Sequence, residues 1–266
     1  MIGNILLRNL KDQKISLLFW SLGIIVTIAL LIAIYPSVKE SSQDLTTYFE
    51  NLPEALQAFV GEATDYASPA GYLNSELFTF MMPMVLIIFA IAAGSGALAG
   101  EEDKGTLDLL LSNPIPRFQV VLEKFTLMVA TTALLSVVTV ISLIIGTQAI
   151  DMDVNPMRIV DVVISVSLLA ISFGAIALAL STATGNRAVG IGITGALAVL
   201  SFFLNGLAPI VNFLKDYQKF SLFYYYSEGD PLKNGLDLGH VVVFVVVSLV
   251  FLIISLILFQ RRDLKI

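Results

Sequence analysis

The chain has 266 residues, of which 57% are hydrophobic and 14% charged, with a formal net charge of −6 and no cysteine. Soluble domains carry about 45–50% apolar and about 25% charged residues, so this balance describes a chain built to sit in lipid. The acidic balance excludes a nucleic-acid binder, and the absence of cysteine with only one histidine excludes disulfides, thiolate catalysis and a Cys- or His-built metal centre.

Taken in chain order, Ile2, Ile5, Leu6 and Leu10 recur at helical spacing while Arg8, Lys11 and Lys14 take other positions. The pattern predicts an N-terminal interfacial helix with its cations toward anionic headgroups. Six runs long and apolar enough to cross a bilayer follow, at 15–35, 77–100, 125–150, 162–182, 188–214 and 241–259, with no Asp, Glu, Lys or Arg in any interior. The first run exceeds a signal-peptide core and no small-residue cleavage pattern follows Tyr35-Pro36, so it is expected to be retained. The fold expected is an all-α polytopic membrane protein, one transmembrane domain over 1–266.

Between the first two runs, residues 36–76 hold one lysine and seven acids, with an amphipathic stretch at 45–60 interrupted by Pro53. Short helices over the outer face are expected there. Pro83 is expected to kink the second span, because it frees a backbone carbonyl. Gly94, Gly96, Ala97 and Gly100 in that span, and Gly190, Gly192 and Gly195 in the fifth, permit close helix contact, with intramolecular packing the leading use. Thr132, Ser136 and Thr139 on the third span and Asn205 on the fifth are expected to bond between helices or back to a carbonyl. Trp20, Tyr35, Phe220 and Tyr224, Tyr225 and Tyr226 fall near span ends, where rings anchor at headgroup depth.

Lys and Arg counts set the orientation. With the N-terminus inside, ten fall in inner segments and five in outer ones, while the acids divide seven to fourteen. Both termini are therefore expected in the cytoplasm. The inner segment after the second span reads Gly100-Glu101-Glu102-Asp103-Lys104-Gly105-Thr106-Leu107-Asp108-Leu109-Leu110-Leu111-Ser112-Asn113-Pro114-Ile115-Pro116-Arg117. Thr106 can cap a short helix with Asp108 in its first turn, Pro114 ends it, and Leu107, Leu110 and Leu111 share one face. Such a ridge could receive a push from a cytoplasmic partner; the plainer reading is a tight connection.

That run, with Val121 and Lys124 after it, resembles the acidic pair, Gly-Thr, leucine run, Pro and Arg of ABC type-2 exporter permeases. Leu52-Pro53-Glu54-Ala55-Leu56, Gly71-Tyr72-Leu73, Phe223-Tyr224-Tyr225-Tyr226 with Asp230-Pro231-Leu232, and the terminal Phe259-Gln260-Arg261-Arg262-Asp263-Leu264 agree with it. The resemblance implies a plasma-membrane permease subunit of an ATP-driven exporter, itself non-catalytic, paired with a second permease as homodimer or heterodimer. A separate cytoplasmic ATPase subunit would carry ATP and Mg. It implies a coupling helix contacting that ATPase through Glu101, Glu102, Gly105, Thr106, Leu109, Leu110, Pro114 and Arg117, and a re-entrant outer hairpin at 212–239. Independently, no Gly-x-x-x-x-Gly-Lys-Ser/Thr loop occurs, so ATP binding has no visible basis in this chain.

Two other classes compete. An ATP-independent secondary transporter or a structural membrane protein would have no associated ATPase. An intramembrane serine protease would need Ser95 and His240 as a dyad, and their expected depths conflict.

Overall fold

The computed structural model describes residues 2–41, 68–103, 105 and 116–262, with residues 2–12 as backbone alone. Among the described residues every regular element is helical, and six helices are long and apolar enough to span a membrane. The first, α1 (Ile2–Glu40), runs unbroken for 39 residues, about 58 Å at 1.5 Å per residue. The expected interfacial helix is therefore no separate element. No Gly or Pro between Arg8 and Ile15 interrupts the helix, so the amphipathic stretch adds turns to the span. At its other end the helix passes through Pro36, and the expected outer loop starts later than 36.

The loop also ends earlier than expected, because the second span begins at Pro69. Ser68 caps α2 (Pro69–Leu73), its Oγ accepting from Gly71 N at 3.0 Å, and Pro69 occupies the first helical turn where no donor is missed. The stretch at 45–60 lies outside the described residues. A π-helical segment, Asn74–Phe78, follows, and the chain breaks at Thr79 and Phe80 before α3 (Met81–Gly96). The kink therefore precedes Pro83, which sits in the first turn of α3 and costs no intrahelical bond there. After Gly96 the chain bends at Ala97 and Leu98 into α4 (Ala99–Asp103), so Gly96 and Gly100 share no continuous helix and the second span stops short of 100.

The third span is α5 (Arg117–Ala149), eight residues longer at its start than expected. Next comes α6 (Pro156–Thr184), capped by Asn155 and closed by Gly185 at φ +66°, a left-handed conformation that glycine adopts freely. The fifth span, α7 (Arg187–Leu207), ends before the expected 214, because Pro209 disfavours helix in the residue ahead of it. Short helices fill the expected hairpin: α8 (Asn212–Lys215), a 3₁₀ turn at Gln218–Phe220, α9 (Leu222–Ser227) and α10 (Pro231–Asn234). Asp237 then caps α11 (Leu238–Arg261), its Oδ1 accepting from Gly239 N at 2.6 Å.

The fourth span, α6, is the axis of the bundle: 89% of its most apolar stretch is buried, against 17% for α7 and 22% for α1 and α11. It packs against α3, α5, α7 and α11, while α1 rests mainly on α5. Backbones close in at the Gly94–Gly174 crossing of α3 and α6, where a Cβ on Gly94 would stand 2.1 Å from the Gly174 carbonyl oxygen. Hydroxyls serve packing, as expected. Thr132, Ser136 and Thr139 return their protons to carbonyls one turn back, Ser136 also meets Ser167 on α6, and Ser172 bonds the Phe244 carbonyl of α11 at 3.2 Å. The bonds that cross between helices contribute about 0.6 kcal/mol each in membranes. Large apolar side chains such as Phe19, Leu200 and Val242 point outward, the arrangement expected where the solvent is hydrocarbon.

The aromatics divide between anchoring and packing. Phe220 is 82% exposed, whereas Trp20 meets Phe89 edge-on at 5.6 Å and buried Tyr35 leans on Tyr72 at 5.1 Å. Phe223 of α9 turns back onto Phe202 and Phe173, at 5.3 and 6.2 Å between ring centroids.

Candidate functional site

The expected coupling segment sits at the end of the bundle where α1 begins. Of its residues, Thr106, Leu109, Leu110 and Pro114 lie outside the described residues, while Glu101, Glu102, Gly105 and Arg117 flank them on both sides. The short helix α4 starts immediately after the bend at Leu98, whose carbonyl accepts from Glu101 N and Glu102 N at 3.0 and 3.1 Å. Gly105 closes its far end at φ +65°, with N bonded to the Glu102 carbonyl at 3.0 Å. That geometry favours glycine, since a side chain there is strained.

The acidic pair is divided between two cations on different spans. Glu101 takes Lys124 of α5 at 2.7 Å; both side chains are largely shielded, Lys124 being 8% exposed. Glu102 takes Arg262, just past α11, through both oxygens at 2.7 and 3.0 Å. Planar guanidinium matches carboxylate in this two-point form, which fixes direction as well as distance. Arg262 also reaches the Thr182 carbonyl of α6 at 3.4 Å and lies against Gly185, where a Cβ would come within 1.7 Å of its Nη2. Arg117 completes the knot: its Nη1 donates to the Phe259 and Arg262 carbonyls at 3.3 and 3.0 Å, and its guanidinium carbon sits 5.9 Å from the Phe259 ring centroid. Those two carbonyls stand at the C-terminal end of α11, so a cation there also meets the negative end of its dipole.

Both flanks of the segment are thus tied to the ends of α5, α6 and α11 by charge-assisted bonds shielded from water. Sequence reading singled out Glu101, Glu102 and Arg117 and missed Lys124 and Arg262 as their partners. The available signal was electroneutrality: two acids at the mouth of an uncharged bundle need cations nearby, and Lys124 and Arg262 flank two span ends.

At the opposite end, a cavity of about 530 Å³ with a mixed polar and apolar lining lies between the second span and the short helices, its polar side including Asn74, Thr79, Asn205, Gln218, Tyr224 and Glu228. Asn205 donates to Ser227 at 2.8 Å and accepts from Gln218 at 3.2 Å. Tyr224 donates its hydroxyl proton to Glu228, and that bond pushes its pKa up to about 12. Glu228 also stands 3.5 Å from His240. Ser95, by contrast, is fully buried at the other end of α3, bonded to the Ala92 carbonyl at 3.4 Å and lying beside Gly190 of α7. Ser95 and His240 have separate surroundings and form no dyad. Among the described residues no group of three or more His, Cys, Asp or Glu could hold a metal ion.

Comparison with known proteins agrees with this architecture. A search of the curated proteins finds no match. The family model described as ABC-2 family transporter protein matches residues 4–264, a stretch that takes in all six spans and the segment between the second and third. The chain therefore belongs to the ABC-2 transporter family, as a multi-pass permease subunit of an ABC transporter.

Proposed function

We propose that the chain is the membrane half of an ATP-driven exporter, in which the segment from Glu101 to Arg117 receives the movement of a separate cytoplasmic ATPase and passes it into the bundle. The observation that carries this reading is the charge knot. A displacement of the segment acts on α5 through Glu101–Lys124, on α11 and α6 through Glu102–Arg262, and again on α11 through Arg117. In this reading Thr106, Leu109, Leu110 and Pro114 belong to the docking segment, and Gly105 turns the chain into it.

ATP and Mg belong to the partner, since the chain has no phosphate-binding loop. Alternating access then requires that the ATP-bound partner favour one packing of the bundle over the other. A second permease, the same or related, would complete the path; the open face of α7, where a Cβ on Gly192 or Gly195 meets nothing within 4 Å, supports a partner there. The Lys and Arg asymmetry favours an orientation with both termini and the knot in the cytoplasm, and the plasma-membrane placement rests on the family.

Leu110→Asp in the full chain is expected to insert normally and to lose both co-purification of a phosphate-loop ATPase and ATP-dependent transport. Unchanged co-purification and transport would overturn the assignment.

A further inference from the structure

Two spaces beside α1 adjoin at Ser16 and Trp20. The first is an apolar cleft of about 450 Å³ between the first and second spans, walled by Gly23, Ile24 and Thr27 on one side and Leu77, Met82 and Val85 on the other. It exists because α1 leans on α5 rather than on α3. Trp20–Phe89 and Tyr35–Tyr72 are ring contacts that bridge the two spans on either side of it. Gly23 has nothing within 4 Å of a Cβ position, and Phe19 and Met81 on the rim are exposed, so the cleft opens sideways toward the surrounding hydrocarbon. The second space, about 660 Å³, is polar and shares Ser16 and Trp20 with the first. Its lining includes Gln13, Glu101, Lys124, Thr131 and Arg187, with Gly96 and Gly100 where larger side chains would intrude.

Among the described residues the charges lining this chamber do not cancel. Glu101 and Lys124 face one another at 2.7 Å, whereas Arg187 forms no ion pair among the described residues. Its guanidinium lies over Gly96, with Nε 3.4 Å from a Cβ position there. Arg187 is also the first residue of α7, where the helix dipole is already positive and a cation is misplaced. Arg187 is exposed, so its donors are open to an anion entering the chamber. From Ser16 to Thr27 the cleft follows α1 for about 17 Å, close to one leaflet of a hydrocarbon core roughly 30 Å thick.

We propose that these adjoining spaces hold one anionic phospholipid of the bilayer, its phosphate on Arg187 and Gln13 and an acyl chain in the cleft at Gly23. Guanidinium supplies paired donors to a phosphate, and the cleft excludes water from the chain. The site does not depend on an ATPase, and it assigns this chain a lipid rather than a free anion.

The test uses the full-length chain extracted in mild detergent and native mass spectrometry, with phosphatidylglycerol, phosphatidylcholine and inorganic phosphate as probes. Wild type is expected to retain one phosphatidylglycerol in preference to phosphatidylcholine, and excess inorganic phosphate is expected not to displace it. Arg187→Gln should lower retention about tenfold, the loss of one charge-assisted contact, and Gly23→Leu should lower it by filling the cleft. Val242→Leu, at an exposed side chain of α11 that lines neither space, should leave it unchanged and report on folding. Equal retention by wild type, Arg187→Gln and Gly23→Leu would overturn the proposal. So would displacement by inorganic phosphate with no effect of Gly23→Leu, which would mark a bare anion site.

Discussion

The acidic pair Glu101 and Glu102 was legible as a feature, but its wiring was not. Adjacent residues on a helix point about 100° apart, so two neighbouring acids at a helix start reach different spans, here α5 and the end of α11. Glu102 and Arg262 are 22% and 19% exposed, shielded enough for their two-point bond to contribute measurably. Glu102→Gln and Arg262→Gln should each destabilise the chain, and the double variant should lose less than their sum, with a coupling of about 1 kcal/mol in a double-mutant cycle read by unfolding in mixed micelles. Strict additivity would remove the pair from the knot. Gly105 adds a residue whose role depends on backbone alone: at φ +65° it closes α4, and a glycine between Lys104 and Thr106 announces that turn in the sequence without saying which acid the turn will bond.

At the scale of elements, the second span departs most from its hydropathy profile, which reads as one uniform run. Its π-helical segment Asn74–Phe78 and the break that follows disturb the backbone pairing, and the buried Tyr226 hydroxyl donates to the Phe78 carbonyl at 2.7 Å. Tyr226 reaches it from α9, 148 residues along the chain. Burial raises the Tyr226 pKa, with the charge of Asp230 adding to it, so the hydroxyl stays a donor at ordinary pH. Tyr226→Phe should therefore cost about 1 kcal/mol or more in unfolding free energy, because a buried carbonyl loses its donor while the ring contacts with Phe223 stay. The Gly94–Gly174 crossing is the second determinant. Gly94→Val should lower thermal stability by about 1–3 kcal/mol equivalent or prevent assembly, since the added carbons meet backbone that cannot rotate away. Gly192→Val, with open space around it, should leave the isolated chain's melting temperature unchanged.

For the whole molecule, the net charge of −6 divides unevenly among the segments between the spans: ten Lys and Arg with seven acids in those expected inside, five with fourteen acids in those expected outside. This asymmetry predicts topology directly, and the absence of native cysteine makes it easy to measure. Asn51→Cys in intact cells should react with an impermeant thiol reagent and Lys104→Cys should not. The reverse labelling would invert the orientation and place the knot outside the cell, away from any ATPase.

The sequence by itself determined the class of solvent, the number of spans, the side each connection favours and the family. These follow from quantities that belong to single segments: length, mean hydropathy, the run of residues after Gly100 and the Lys and Arg count. Only the tertiary structure decided that α6 is the axis, that the first helix is continuous through Pro36, that Glu101 and Glu102 take Lys124 and Arg262, and that a cleft separates α1 from α3. The reason is physical. A helix apolar on every face carries no stripe that names its buried side, so its partners are set by where small residues meet, as Gly94 meets Gly174. The ion pairs then follow from which helix ends that packing brings together.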